Sequence, residues 1–204
     1  KINRKYKEPV IQQNRLGEIE YLTFPLLSET GLVNHLFTTR MGGVSKDIYT
    51  SMNLSYSRGD DKGAVDENYK RIAAVFHSSP NQIVCSDQTH TTNVRLVTGN
   101  DCGKGVTQQK DYRDIDGLIT DEPVIILATF YADCVPLYFI DTEHKAIGLS
   151  HSGWRGTVNK MGACTLRAMK DAFGTKPEAV KAAIGPPICQ DCYEVSEDVA
   201  VQFK

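Results

Sequence analysis

At 204 residues, with 41% apolar and 24% charged side chains, the chain is long enough to bury roughly 70% of the surface its unfolded form exposes, and one globular domain is the expectation. The formal net charge is −2, and Lys and Arg are scattered singly with no massed stripe, which argues against a nucleic-acid or anionic-membrane partner. The longest apolar stretches, 124–131 and 135–140, are separated by Asp133 and interrupted by Pro136, short of the about 20 residues a membrane helix needs.

The chain opens Lys-Ile-Asn-Arg-Lys-Tyr-Lys-Glu, without the apolar core or small-residue cleavage site of a secretion signal, so a cytoplasmic location is expected. The six cysteines are spread along a chain with ample core-forming residues, and free thiols in a reducing compartment fit that better than a disulfide framework. A first β-type run covers 35–39. A helix is expected over 65–76, with Asp60 and Asp61 as caps. Further β-type runs follow at 93–97, 117–120, 124–130, 136–140, 146–150 and 180–184. The stretch 98–114, rich in Gly, Gln, Lys and Asp, reads as a surface loop.

A second helix is expected over 158–173, where Val158, Met161, Thr165, Ala168, Met169 and Ala172 share a face and Gly174 supplies the stop. A third is expected to start near Ser196, a favoured cap residue. Strands outnumber helices and do not alternate with them as a doubly wound sheet requires. The expected fold is α+β: a mixed β-sheet core flanked by helices, in a single domain over 1–204, with 1–30 as an N-terminal extension and first strand region.

Three residues that can ligate a metal stand at the ends of expected strands: His90 in Asp-Gln-Thr-His, Cys134 in Ala-Asp-Cys-Val-Pro, and His151 in Leu-Ser-His-Ser-Gly-Trp-Arg-Gly. Two imidazoles and a thiolate suit zinc or another borderline-soft metal, and three protein ligands leave the fourth tetrahedral position open, as in catalytic sites. The separations of 44 and 17 residues match no zinc-finger spacing. On spacing alone the three read more readily as a loop cap, a small buried thiol and a core histidine.

Around them lie groups suited to anions. The run Ser152-Gly153-Trp154-Arg155-Gly156 leads from a strand into the second expected helix, so backbone N–H groups and the helix dipole would point at a bound phosphate or carboxylate. Arg155 adds a donor fork, and Arg40 occupies a second glycine-bearing loop; either is equally readable as a solvated surface residue. Asp133, beside Cys134, and Asp87, before His90, could orient a histidine or carry a proton, or serve only in turns. Asn53 suits a turn cap or a ligand hydroxyl. Trp154 could stack on a planar substrate or pack in the core. Cys189-Gln-Asp-Cys192 has CxxC spacing but lacks both a partner pair and the βαβ surroundings of a redox domain.

Six strings occur in order: His-Leu-Phe-Thr-Thr-Arg-Met-Gly-Gly-Val-Ser (35–45), Gln-Thr-His (88–90), Asp-Ile-Asp-Gly-Leu-Ile-Thr (114–120), Ala-Asp-Cys-Val-Pro-Leu (132–137), His-Ser-Gly-Trp-Arg-Gly (151–156), and Ile-Gly-Pro (184–186) with Cys-Tyr-Glu-Val (192–195). Together they resemble the YfiH-type family, once labelled multi-copper polyphenol oxidase or laccase, over about 32–195. The resemblance implies a cytosolic purine nucleoside phosphorylase with adenosine deaminase and methylthioadenosine phosphorylase activities. It also implies a zinc held at the positions of His90, Cys134 and His151. Beside that metal, the residues themselves suggest Asp133, with Asp87 as the other candidate, as proton carrier, and Arg40, Asn53 and Arg155 toward nucleoside and phosphate. Family members usually continue several tens of residues past Cys-Tyr-Glu-Val, so a C-terminal segment is expected beyond Lys204. The run Pro187-Ile-Cys-Gln-Asp departs from the Gly-Pro-Cys run of many members, so no family role passes to Cys189.

Three alternatives accompany this reading. Copper-dependent phenol oxidation follows from the old family label, although multi-copper electron transfer needs many histidines and the chain has five. Amidase or editing action on peptidoglycan precursors follows from other members. A non-catalytic domain with structural zinc would need a fourth ligand, with Cys85 or Cys192 as candidates. Oligomeric state is not readable from the sequence.

Overall fold

The computed structural model describes residues 9–203, so the reading of the first eight residues as carrying no secretion signal lies outside the described residues. The chain divides into two compact units, one ending at Pro80 and the other beginning at Asn81.

In the first unit, β1 (Gln12–Leu16) and β2 (Ile19–Thr23) form an antiparallel hairpin, with Gly17 at φ +59° in the tight turn, a conformation glycine takes without steric cost. After the single turn of α1 (Pro25–Ser28), β3 (Phe37–Thr38) pairs with β2. The helix expected over 65–76 is α2 (Lys62–Val75), and its cap is Asp61, whose carboxylate accepts from the Ala64 amide at 2.8 Å. Val65, Asn68, Tyr69, Ile72 and Ala73 form its buried face, and Ile72 packs with Ile19 and Met52. Asn68 is fully buried and satisfied: it accepts from the Val44 amide and donates to Ser45 and to the Asn53 carbonyl. It thereby pins the loop that follows Arg40.

The second unit holds the larger sheet. Its strands are β4 (Ile83–Cys85), β5 (Val94–Leu96), β6 (Gly117–Thr120), β7 (Ile126–Ala128), β8 (Val135–Asp141), β9 (Ala146–Ser152) and β10 (Val180–Ile184); its helices are α3 (Trp154–Val158), α4 (Met161–Phe173) and α5 (Glu197–Ala200). The five-stranded order is β10-β8-β9-β6-β5, and β4 pairs with β7 in a separate parallel ribbon. Every junction of the large sheet is antiparallel except β5 with β6. This mixed sheet with helices packed on it is the expected α+β fold. Val84, Val97, Leu118, Ile125 and Leu127 make one buried cluster, and Ile119, Phe139, Ala146 and Met169 make another beneath α4. No helix among the described residues is long and apolar enough to cross a membrane.

The helix expected over 158–173 is α4, which stops at Gly174 as expected and starts three residues late, because the chain leaves the short α3 with the Lys160 amide bonded to the Thr157 carbonyl and Lys160 itself left-handed, at φ +59°. The apolar face survives the break, with Met161, Thr165 and Met169 fully buried. The stretch 98–114 is a loop with a buried anchor: Asp101 accepts from Arg95 and Lys104, both at 2.8 Å, and Tyr112 donates to the Cys85 carbonyl.

Candidate metal centre

His90, Cys134 and His151 come together in the second unit, Cys134 and His151 from strand ends as expected and His90 from a loop, not from a strand end. His151 is near the end of β9 and is buried; Cys134 immediately precedes β8 and is half-buried; His90 lies in the exposed loop between β4 and β5. One donor atom from each falls within 4.8 Å of the other two. The Cys134 Sγ to His90 Nε2 distance is 3.8 Å, and the two imidazoles stand edge to face with centroids 5.0 Å apart. A tetrahedral metal bound by nitrogen and sulfur holds its donors roughly 3.3–3.8 Å apart. The cradle is therefore of metal-binding size and slightly wider than a closed site.

The second chain segment that shapes the cradle is Gly153. A Cβ there would stand 2.7 Å from His90 Cδ2 and 3.0 Å from Cys134 Sγ, so only glycine lets the backbone leave β9 against the donors.

Behind the donors lies a carboxylate that the residue types alone did not single out. Asp116, just before β6, is fully buried. Its Oδ1 accepts from His151 Nδ1 at 2.8 Å and from the His90 amide at 3.1 Å; its Oδ2 accepts from the Thr89 and Thr91 amides and from the Thr91 hydroxyl. Burial alone would raise its pKa, but the hydrogen bonds from His151, Thr91 and Thr89 outweigh burial and bring it down to about 2. An ionised carboxylate can only accept, so Nδ1 of His151 carries the proton and Nε2 presents its lone pair to the shared space. The same bonds hold His90 at φ +66°, a left-handed conformation that costs a histidine about 1 kcal/mol and needs outside support.

The Cys134 thiol is pushed above its ordinary pKa by burial first, then by the charges of Asp133 and Asp116. Two imidazoles and a thiol are the donor chemistry that a divalent metal such as zinc takes. Neither Cys85 nor Cys192 joins the cluster among the described residues. Among the described residues three donors stand without a fourth, the number that leaves one tetrahedral position open.

The other singled-out residues are placed as follows. Asp133 is exposed, and its carbonyl accepts from the Ile188 amide at 3.0 Å. Asp87 is paired with Lys110 and accepts from the Asp114 amide at 3.3 Å, so the histidine-orienting role falls to Asp116. The guanidinium of Arg155 is exposed and lies over the Trp154 ring at 4.4 Å. The longer helix begins at Met161 with no side-chain cap, so the 152–156 run leads only into the five residues of α3. Arg40 and Asn53 belong to the first unit. Arg40 donates twice to the Thr50 carbonyl, at 3.0 and 2.8 Å, while Asn53 donates to Asp60 and accepts from the Ser55 amide, the turn-capping arrangement.

Residues 34–204 match the family described as multi-copper polyphenol oxidoreductase laccase. Among curated relatives, the chain is 40% identical over 181 residues to a purine nucleoside phosphorylase of Deinococcus radiodurans, covering 88% of this chain and 67% of that one. It is 31% identical over 170 residues to adenosine deaminase RL5 of an unknown prokaryotic organism, covering 82% and 64%. Among solved structures, YlmD from Geobacillus stearothermophilus superposes with a TM-score of 0.84 at 32% identity, covering 95% of this chain and 70% of that one. The chain thus spans about two thirds of the length of these proteins.

Proposed function

Because the chain belongs to the family described as multi-copper polyphenol oxidoreductase laccase, we propose that it takes part in the chemistry for which its relatives are named, as a zinc-dependent purine nucleoside phosphorylase that also deaminates adenosine and phosphorolyses methylthioadenosine. The observation that carries the reading is the gathering of His90, Cys134 and His151 within 4.8 Å, a three-donor set with an open position. When bound, zinc supplies Lewis-acid polarisation at that position.

The protein's own residues prepare the site. Asp116 fixes the His151 tautomer and the His90 backbone together, so the His151 ring and the loop that carries His90 are set before a ligand arrives. Asp133 is an exposed carboxylate next to Cys134, suited to carry a proton between solvent and a nucleoside amino or leaving group. Arg155, one residue past Trp154, offers a charge-assisted donor fork to phosphate. Arg40, whose Nε and Nη2 bond the Thr50 carbonyl, has further guanidinium N–H groups to offer an anion, and Asn53 is assigned toward a nucleoside hydroxyl. The compartment in which this chemistry runs is proposed to be the cytoplasm.

One observation favours copper as a second reading: two histidines and a cysteine are also the ligands of electron-transfer copper sites. A multi-copper oxidase needs several such clusters, and among the described residues a single one is found. His35 instead accepts from the Phe24 amide, and His144 pairs with Asp141.

The test is to load the protein with metal and incubate it with adenosine and inosine, with and without phosphate, while metal content is measured. Phosphate-dependent release of hypoxanthine from inosine, conversion of adenosine to inosine, and loss of both in folded Cys134→Ala are expected. Full turnover by that variant, or copper stoichiometry with phenol oxidation, would overturn the proposal.

A further inference from the structure

The metal-centre reading leaves the Cys189-Gln190-Asp191-Cys192 turn unused. Both thiols are free and exposed. The Cys192 amide donates to the Cys189 carbonyl at 3.1 Å, closing a single 3-10 turn over Gln190–Cys192 with Cys189 as its cap. Residues at the two ends of such a turn have Cα atoms less than about 7 Å apart, and a disulfide requires about 4.4–6.8 Å. The backbone therefore already holds the pair at bridging distance.

The turn is tethered on its N-terminal side. β10 runs antiparallel to β8 up to Ile184, paired with Leu137. Beyond that pair the Gly185 amide bonds to the Pro136 carbonyl at 2.9 Å and the Ile188 amide to the Asp133 carbonyl at 3.0 Å. These bonds reach the residue before Cys189, so the first thiol is fixed to the sheet while its sulfur stays open to solvent. The sulfurs are also unequal. The Cys192 thiol donates to the Cys189 sulfur, which lowers the Cys189 pKa from its ordinary value and raises that of Cys192. That is the division of labour between an attacking and a resolving cysteine.

We propose that Cys189 and Cys192 form a reversible dithiol–disulfide site that exchanges with low-molecular-weight disulfides. The Cys189 thiolate attacks one sulfur of the small disulfide, forming a mixed disulfide and expelling one small thiolate, which takes up the proton Cys189 gave to solvent. The Cys192 sulfur, losing its proton to solvent, then attacks Cys189 Sγ; the protein disulfide forms and the second small thiol leaves. The protein dithiol is oxidised by two electrons and the small disulfide is reduced to two thiols. The exchange does not rest on the metal chemistry proposed above.

The probe is glutathione. The intact chain is equilibrated in buffers of rising oxidised-to-reduced glutathione ratio, quenched in acid, alkylated and digested with trypsin. Both cysteines and no others fall in the peptide from Ala182 to Lys204. That peptide should appear unalkylated and lighter by two hydrogens, revert with dithiothreitol, and do so at a ratio at least tenfold lower than Cys164 needs to become glutathionylated. Cys192→Ser should accumulate one glutathione on Cys189, whereas Cys189→Ser should leave Cys192 alkylatable in the same buffers. The proposal is overturned if the wild-type peptide takes up two alkyl groups or two glutathiones throughout the series, or if the two single variants react alike.

Discussion

Asp116 gathers donors from both histidine-bearing segments, and the sides of its carboxylate are divided between them. Oδ1 serves His151 and the His90 amide; Oδ2 serves Thr89 and Thr91. In Asp116→Asn one oxygen becomes an NH2 group, and whichever way the amide turns, one set of N–H donors faces another. Metal affinity should fall by about 10–100-fold, and folding stability by about 2 kcal/mol. Competition with a chromogenic zinc chelator reads the first and urea unfolding the second; a variant that binds zinc as tightly as the parent removes Asp116 from this role. The ligand residues were legible because His and Cys carry their chemistry in their identity. Asp116 was visible only as part of the 114–120 string, since its partners lie 25 and 35 residues away and local periodicity carries no trace of them. Asp87, nearer to His90 in sequence, is paired instead with Lys110.

At the scale of elements, α4 sits in a trough. A Cβ on Gly117 would come within 2.7 Å of Met161 Cε, and one on Gly148 within 3.1 Å of Met169 Sδ and of Thr165 Cγ2. β6 and β9 are adjacent, with Gly117 opposite Ser150 and Gly148 opposite Ile119, so two bare positions on neighbouring strands face the buried stripe Met161, Thr165, Met169. The i, i+4, i+8 stripe was legible in the sequence; the trough that receives it was not, because strand register is set by pairings far along the chain. The break before α4 was equally hidden, for neither Asn159 nor Lys160 is a helix breaker of the Pro or Gly kind. Gly148→Val should force α4 off the sheet and lower stability by about 1–3 kcal/mol. A urea midpoint equal to the parent's would show that the Met169 side chain moves aside without cost.

For the whole molecule, the fold class followed from strands that outnumber helices without alternating, and the sheet order did not, since β8 lies between β10 and β9 and β5 attaches to the far edge. The division at Pro80 leaves no mark in composition. One buried charge nevertheless ties the stability of the second unit to pH. Asp141, fully buried at the end of β8, accepts from the Glu143 and His144 amides at 2.9 and 3.1 Å and pairs with His144 Nδ1 at 2.8 Å. Burial works to raise its pKa, but the hydrogen bonds from His144 and Glu143 prevail and lower it from 3.8 to about 2. The unfolded chain therefore takes up the proton first. The stabilisation is complete above pH 3.8 and drains as pH falls toward 2, with about 1 kcal/mol gone by pH 3. The stability gap between the parent and Asp141→Asn, measured by urea unfolding, should shrink by that amount between pH 7 and pH 3. A gap that stays constant across this range would mean that the carboxylate titrates alike in folded and unfolded chains, and that the turn between β8 and β9 is held by its backbone alone.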